Sequence, residues 1–285
     1  MAGIGFELRR LIRDEGGLIS RVRGYAIASL VSSGPWIVTI IGLVCISVTA
    51  PAFLDRDTYE SFRAIITYAF AFSLIAVGAV QMSFTRRAAD LLYDKQYDRL
   101  LPALAYGSKV VAIAQITIGI VFCVLAGLPA PLAIASVSLY VVISLTWLAL
   151  IWLGATKEHK SVLRAYLWGG LVSFTAVSLS AGGIWGIDQS AASMVGAYAL
   201  GQGLTLILLL RAVVRSLDLG GVEDTSIVHS VRSYPRLALV GLFYNAAIWA
   251  DQIIFWSVDG VGSYVRFHPL YDTCKFLAYA SVIPA

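Results

Sequence analysis

Residues able to do chemistry are sparse in this chain, and the sharpest is Asp251, a carboxylate set in the otherwise uncharged run from Leu237 to Val258. An ionisable group inside so apolar a segment is costly unless it faces protein or water, which makes it a functional candidate by default. At about 100° per residue, Gly241, Tyr244, Asn245, Ile248, Asp251, Gln252, Phe255 and Trp256 share an arc of about 140°. Leu239, Leu242, Phe243, Ala246, Ala250, Ile253 and Ile254 take the other side, Ile248 interrupts the polar arc, and Trp249 lies just beyond its edge. Such a face suits a wet cavity in which rings stack on sugars while amides and the carboxylate bond hydroxyls or a cation. It suits equally a set of hydrogen bonds to a neighbouring helix, and both readings stay open. Asp251 lies about 21 Å along the helix from Leu237, in its outer half.

A second constellation is His268-Pro269-Leu270-Tyr271-Asp272. His268 and Asp272 are four residues apart, a helical spacing that would make an acid–base pair for a membrane acyl- or glycosyltransferase. Pro269 opposes that spacing, and the alternative is an anchor at the outer interface. Gly34 and Pro35, within Ser32-Ser33-Gly34-Pro35-Trp36, predict a kinked helix of the kind that lines transport sites, or a kink that serves packing. Gln81, Gln115 and Gln202 read as helix-to-helix hydrogen bonds.

No Walker phosphate loop, His-Glu-x-x-His, Gly-x-Ser-x-Gly or Gly-rich dinucleotide fingerprint is present, so no catalytic residues and no cofactor are expected. His159, His229 and His268 fall in different connections without ligand spacing, and no metal site is expected. Cys45, Cys123 and Cys274 lack Cys-x-x-Cys spacing and read as small buried hydrophobes.

The elements that carry these residues follow from the distribution of charge. With 59% hydrophobic and 13% charged residues, the chain excludes an ordinary soluble domain, and its mean hydropathy of +0.80 agrees. About 20 apolar residues of helix cross a bilayer. Uncharged runs cover Gly24 to Leu54, Ala64 to Thr85, Ala165 to Ile187 and Gln189 to Leu210. Val110 to Thr156 is long enough for two spans, divided by Leu128-Pro129-Ala130-Pro131. Leu237 to Val258 makes a seventh span, and Phe276 to Ala285 starts an eighth that is too short to cross. The expected fold is all-α, a polytopic membrane protein of seven spans plus part of an eighth, and the chain reads as a fragment.

Its expected parts are a basic amphipathic arm (1–23), a six-span lobe (24–210), a polar linker (211–236) and the start of a second lobe (237–285). Of the 21 Lys and Arg residues, 17 fall in the N-terminal arm and alternate connections and 4 on the opposite side. The positive-inside rule then places the N-terminus in the cytoplasm. The net charge of +4 belongs to this asymmetry and faces lipid headgroups, not nucleic acid. Leu92, Gln96, Tyr97, Leu100 and Leu104 recur at helical spacing and predict a surface helix after the second span.

The chain resembles the PelG family of Pel exopolysaccharide export, within the multidrug/oligosaccharidyl-lipid/polysaccharide exporter superfamily. The resemblance rests on Met1-Ala2-Gly3-Ile4-Gly5-Phe6-Glu7-Leu8-Arg9, Ser32-Ser33-Gly34-Pro35-Trp36 and Thr85-Arg86-Arg87 through Asp90-Leu91-Leu92-Tyr93. It continues through Tyr244-Asn245, Ala250-Asp251 and Phe255-Trp256 to His268-Pro269-Leu270-Tyr271-Asp272 and Phe276-Leu277-Ala278-Tyr279. It implies twelve spans in two lobes around a V-shaped cavity, alternating access, an inner-membrane location and passage of an amino-sugar-containing polymer. It also implies a cytoplasmic glycosyltransferase, PelF-like, and membrane partners, PelD-like and PelE-like. An acidic residue in the seventh span has counterparts in cation-coupled members of the superfamily, so Asp251, Asn245, Tyr244, Gln252, Trp256 and Trp249 are the expected substrate or ion pathway. A membrane transferase using His268 and Asp272, and a scaffold recruiting a polysaccharide synthase through its basic loops, are the alternatives.

Overall fold

The computed structural model describes residues 37–156, 159–186, 188–217, 225–262 and 264–281. The basic arm and the Gly34-Pro35 kink lie outside the described residues. The first described helix, α1, is Ile37–Ala52. It is followed by α2 (Arg56–Tyr93), α3 (Leu100–Leu125), α4 (Ala130–Thr156), α5 (His159–Ala181), α6 (Ala191–Ser216), α7 (Ser226–Ser233), α8 (Pro235–Asp259) and α9 (Pro269–Ser281). No strand occurs among the described residues, where the one β feature is an isolated bridge between Val261 and Phe267.

Six helices, α2 to α6 and α8, are long and apolar enough to cross a membrane. α2, α5, α6 and α8 each take up all or most of one uncharged run of the sequence, α3 and α4 share the run from Val110 to Thr156, and of the first expected span only the shorter helix α1 is described. At about 1.5 Å per residue the 38 residues of α2 extend about 57 Å, so both ends pass beyond a hydrocarbon core about 30 Å thick. Asp55 caps its N-terminus by accepting the Thr58 N–H at 2.9 Å. The hydrogen bonds from Thr58 hold the Asp55 carboxyl below its ordinary pKa of 3.8.

The helix ends are set by local chemistry. Gly127, with φ of +65°, follows α3 in the left-handed region. Its N–H bonds the Val124 carbonyl at 3.2 Å and the Leu128 N–H bonds Cys123 at 3.0 Å, a Schellman closure. Pro129 and Pro131 then start α4, as the sequence predicts for this turn.

The same closure ends α2, and it overturns the surface helix expected around Leu92 to Leu104. The Gln96 N–H bonds Leu91 at 2.9 Å and the Lys95 N–H bonds Leu92 at 3.2 Å. Lys95 takes φ of 57°, and a single 3-10 turn, Tyr97–Arg99, leads into α3. The apolar residues at helical spacing are thus divided between two spans that meet at their ends, where Leu91, Leu100 and Leu104 pack together. Lys95→Gly is expected to stabilise this turn by about 0.5–1 kcal/mol, because the left-handed conformation costs a side chain more than glycine's added unfolded-state freedom. Thermal unfolding of the purified protein checks it, and no gain would show that Lys95 makes compensating contacts.

α6 continues to Ser216 and α7 lies at 226–233, so the connection expected as a plain polar linker contains helix on both sides. Of the cysteines only Cys123 is buried; Cys45 and Cys274 are exposed, against the sequence expectation, and all three are free.

Apolar burial drives little association between helices in lipid, so close packing must do it. Gly169 and Ser173 on α5 face Gly201 and Thr205 on α6, two small-x-x-x-small pairs that bring backbone against backbone. Gly78 on α2 and Gly241 on α8 make an equivalent crossing: a Cβ on Gly78 would lie 2.7 Å from the Gly241 carbonyl oxygen. Towards one end of the bundle Phe62, Leu139, Val177, Met194, Trp256 and Phe267 pack together. Towards the other, Phe84, Leu91, Trp152, Leu209 and Ile227 form a second core. Arg87 donates to Ser226 at 2.9 Å and Ser230 to the Ser83 carbonyl at 3.4 Å, seating α7 beside α2.

Candidate functional site

The site is the polar arc of α8. Its first turn is N-terminal and starts at Pro235, whose missing N–H costs nothing at that position. From there the arc meets two elements in succession. Near its middle, beside the Gly78–Gly241 crossing, Asn245 is buried and donates to Gln81 on α2 at 3.4 Å. Farther along, the arc meets α9, where His268, just before its first residue, and Tyr271, Asp272 and Lys275 within it recur at i, i+3, i+4 and i+7 on one face.

Asp272, only 8% exposed, is the centre of the α8–α9 contact. Its Oδ1 accepts from Gln252 Nε2 at 2.9 Å and from Trp256 Nε1 at 3.0 Å. Its Oδ2 accepts from the same indole at 3.1 Å and from the His268 backbone N–H at 3.3 Å. Three donors around one carboxylate compensate for the water it loses on burial. Trp256 also stacks on Tyr68 of α2, with ring centroids 4.5 Å apart, while the Tyr68 hydroxyl donates to the Arg266 carbonyl at 2.7 Å.

One turn away, Asp251 Oδ2 accepts from the Tyr271 hydroxyl at 2.6 Å, and Oδ1 pairs with Lys275 Nζ. Lys275 Nζ donates in addition to the Ile248 carbonyl at 2.8 Å and lies 5.6 Å from the Trp249 ring centroid. Phe255 stacks on Tyr271 at 4.0 Å. The costly charge in the span is thereby neutralised by a second charge on the next helix.

The residues predicted from the arc therefore divide. Asn245, Trp249, Gln252 and Trp256 are buried, Asn245 against α2 and Gln252 and Trp256 against α9. Tyr244 is 62% exposed, and the Asp251 side chain is 45% exposed. Two buried polar atoms of this group, Trp249 Nε1 and Gln252 Oε1, have no hydrogen-bond partner within the described chain.

His268 and Asp272 come together, but as a helix cap. The Tyr271 N–H donates to His268 Nδ1 at 3.1 Å, while Asp272 takes the His268 N–H, the reciprocal pattern of a capping box. Pro269 thus starts α9 instead of interrupting it. Among the other predicted polar groups, Gln202 donates to Ser173 across α5 and α6 at 3.5 Å. Gln115 is buried with Oε1 unbonded within the described chain. The described residues contain no cluster of metal ligands.

Sequence reasoning missed Lys275, treating it only as one of the outer positive charges. The signal is present: 268, 271, 272 and 275 form a polar stripe that matches the stripe of 248, 251, 252, 255 and 256 on α8.

Between the start of α2 and the segment after α8 is a cavity of about 270 Å³. It is bounded by Asp57, Glu60, Ser61 and Ile65 at the start of α2 and by Val261, Gly262, Tyr264, Val265 and Phe267 after α8.

Membrane-length helices packed closely through glycine define a multi-pass membrane protein. The whole chain, residues 1–285, matches the profile of the PelG family, described as "Putative exopolysaccharide Exporter (EPS-E)", and it belongs to that family. No curated protein and no solved structure is similar enough to the chain to count as a match.

Proposed function

We propose that the protein moves a Pel-like, amino-sugar-containing exopolysaccharide across the bacterial inner membrane, with the α8 arc forming part of the wall along which the polymer passes. The observation that carries the site assignment is the half-open Asp251 carboxylate, held within the apolar run of α8 by the Tyr271 hydroxyl and the Lys275 ammonium. Asp251 and Tyr244 are the members of the arc that a substrate reaches. Asn245, Trp249, Gln252 and Trp256 support them from behind. The Asp251 carboxylate and the Tyr244 phenol recognise a sugar polymer through its hydroxyl and amino groups and its apolar ring faces.

In this reading residues 24–210 form the first lobe and 237–285 begin the second, around a central path used by alternating access or guided passage. The N-terminus is cytoplasmic, so the basic connections, including Arg86, Arg87, Arg232 and Arg236, face a PelF-like glycosyltransferase, and PelD-like and PelE-like proteins adjoin in the membrane. No chemical step is assigned to His268 or Asp272, since both are engaged in holding the start of α9.

The test is export by cells producing the Asp251→Asn protein at normal abundance. Asparagine keeps the shape and an acceptor for Tyr271 but removes the charge. Exported polymer is expected to fall at least about tenfold, a loss of about 1.4 kcal/mol in the limiting step. Unchanged export would remove Asp251 from the pathway, and loss only in His268→Ala would favour a transferase.

A further inference from the structure

Lys275 does more in this structure than balance a charge. Its Nζ sits against three acceptors that do not depend on the rest of the lysine: the Asp251 carboxylate, the Ile248 carbonyl at 2.8 Å and the face of Trp249, whose centroid is 5.6 Å away. The Ile248 carbonyl, inside α8, has a second lone pair free for this bond beyond the one used along the helix. An anion, a carbonyl dipole and an aromatic face converging on one point are what a primary ammonium group needs once it leaves water.

The two partners are unequally covered. The Lys275 side chain is 11% exposed, whereas that of Asp251 is 45% exposed. A competing cation can therefore approach the carboxylate from its open side while the lysine is still in place. Lys275 enters from α9 and the other groups stand on α8, so exchange at this point removes one of the contacts that hold α9 against α8.

We infer that Asp251, the Ile248 carbonyl and Trp249 form a binding site for a primary ammonium group, and that Lys275 is its tethered, exchangeable occupant. The site takes ligands that carry –NH3+ on an unhindered carbon. It discriminates against quaternary ammonium, which has no N–H to give to the carboxylate or the carbonyl. This rests on the geometry of the pair alone and stands or falls separately from polymer export.

The experiment uses the full chain in lipid nanodiscs, with ethylammonium chloride as the probe and tetramethylammonium and sodium chloride at the same ionic strength as controls. In Lys275→Ala the site is vacated, and ethylammonium is expected to raise the unfolding temperature by about 2–4 °C through binding to the folded state. The controls are expected to leave it unmoved, and Lys275→Ala combined with Asp251→Asn is expected to lose the response. No ethylammonium-specific rise in Lys275→Ala, or an equal rise in the double variant, overturns the assignment.

A second measurement covers the case in which Lys275→Ala fails to fold. Acylation of Lys275 by an amine-reactive ester is followed by peptide mass spectrometry in the otherwise unaltered chain and in Asp251→Asn. Modification is expected to be at least tenfold faster in Asp251→Asn, the equivalent of about 1.4 kcal/mol of lost protection. Equal rates would show that the carboxylate does not hold the ammonium and would overturn the proposal as well.

Discussion

Replacing Asp272 by alanine is expected to free α9 from α8 and to lower the stability of the protein by about 3 kcal/mol or more. The change leaves Gln252 Nε2, Trp256 Nε1 and the His268 N–H without their acceptor. Each buried donor deprived of its partner costs about 1–3 kcal/mol, partly offset here because a buried charge is also removed. Asp272→Asn is expected to lose nearly as much, since its amide can accept at only one end and turns an N–H2 towards other donors. Thermal unfolding in detergent, combined with protease accessibility after residue 259, measures both effects. A loss below about 1 kcal/mol in each variant would show that the three donors find other partners and that Asp272 does not hold the two helices together.

The second large effect concerns the crossing that positions the site. Gly241→Leu is expected to separate α8 from α2, because even a methyl at position 241 would run into the Gly78 carbonyl oxygen. Backbone cannot yield as a side-chain tip does, so the cost is about 3 kcal/mol or more, at or beyond the upper end for overpacking. The Asn245–Gln81 bond and the Tyr68–Trp256 stack depend on the same approach and go with it. A cysteine pair across α2 and α8 reports the separation directly: cross-linking is expected to fall in the leucine variant relative to the same pair with Gly241 retained. Undiminished cross-linking in Gly241→Leu would mean that the helices are held together elsewhere.

Much of the architecture could be read from charge alone. Where Lys or Arg closes an uncharged run, as at Arg63 and Arg86 within α2, the helix is there and continues past both charges, because lipid leaves the backbone few other ways to satisfy its hydrogen bonds. The turn at Leu128–Pro131 was equally legible, since proline restricts the chain locally. What failed was the surface helix around Leu92 to Leu104. Its period of apolar residues is real, but a period does not say whether one helix carries it or two that meet, and Lys95 in the left-handed region gives no warning of the break.

The site was half legible for a related reason. The α8 arc follows from rotation about a single axis, whereas its partners depend on which helices lie beside it. Asn245 bonds Gln81, a residue 164 positions away, and periodicity does not reach that far. Lys275 was overlooked because, counted as one charge among 21, it carries no mark of pairing with Asp251.

The contact between Gly78 and Gly241 also has a mechanical meaning. Two glycines meet there backbone to backbone, flanked by Met82 and Asn245, and it is through α2 above all that α8 is joined to the larger helix group. A tilt of α8 against α2 would turn about that point. Asp251 stands about 15 Å from it along the helix, so a tilt of about 10° carries the carboxylate sideways by about 2.6 Å, roughly the length of one hydrogen bond. Closer to the pivot, Asn245 and Gln81 travel less than half as far. Such a tilt would reorient the charged end of α8 at the expense of the Tyr68–Trp256 stack beyond it, while the amide pair near the axle would scarcely slip.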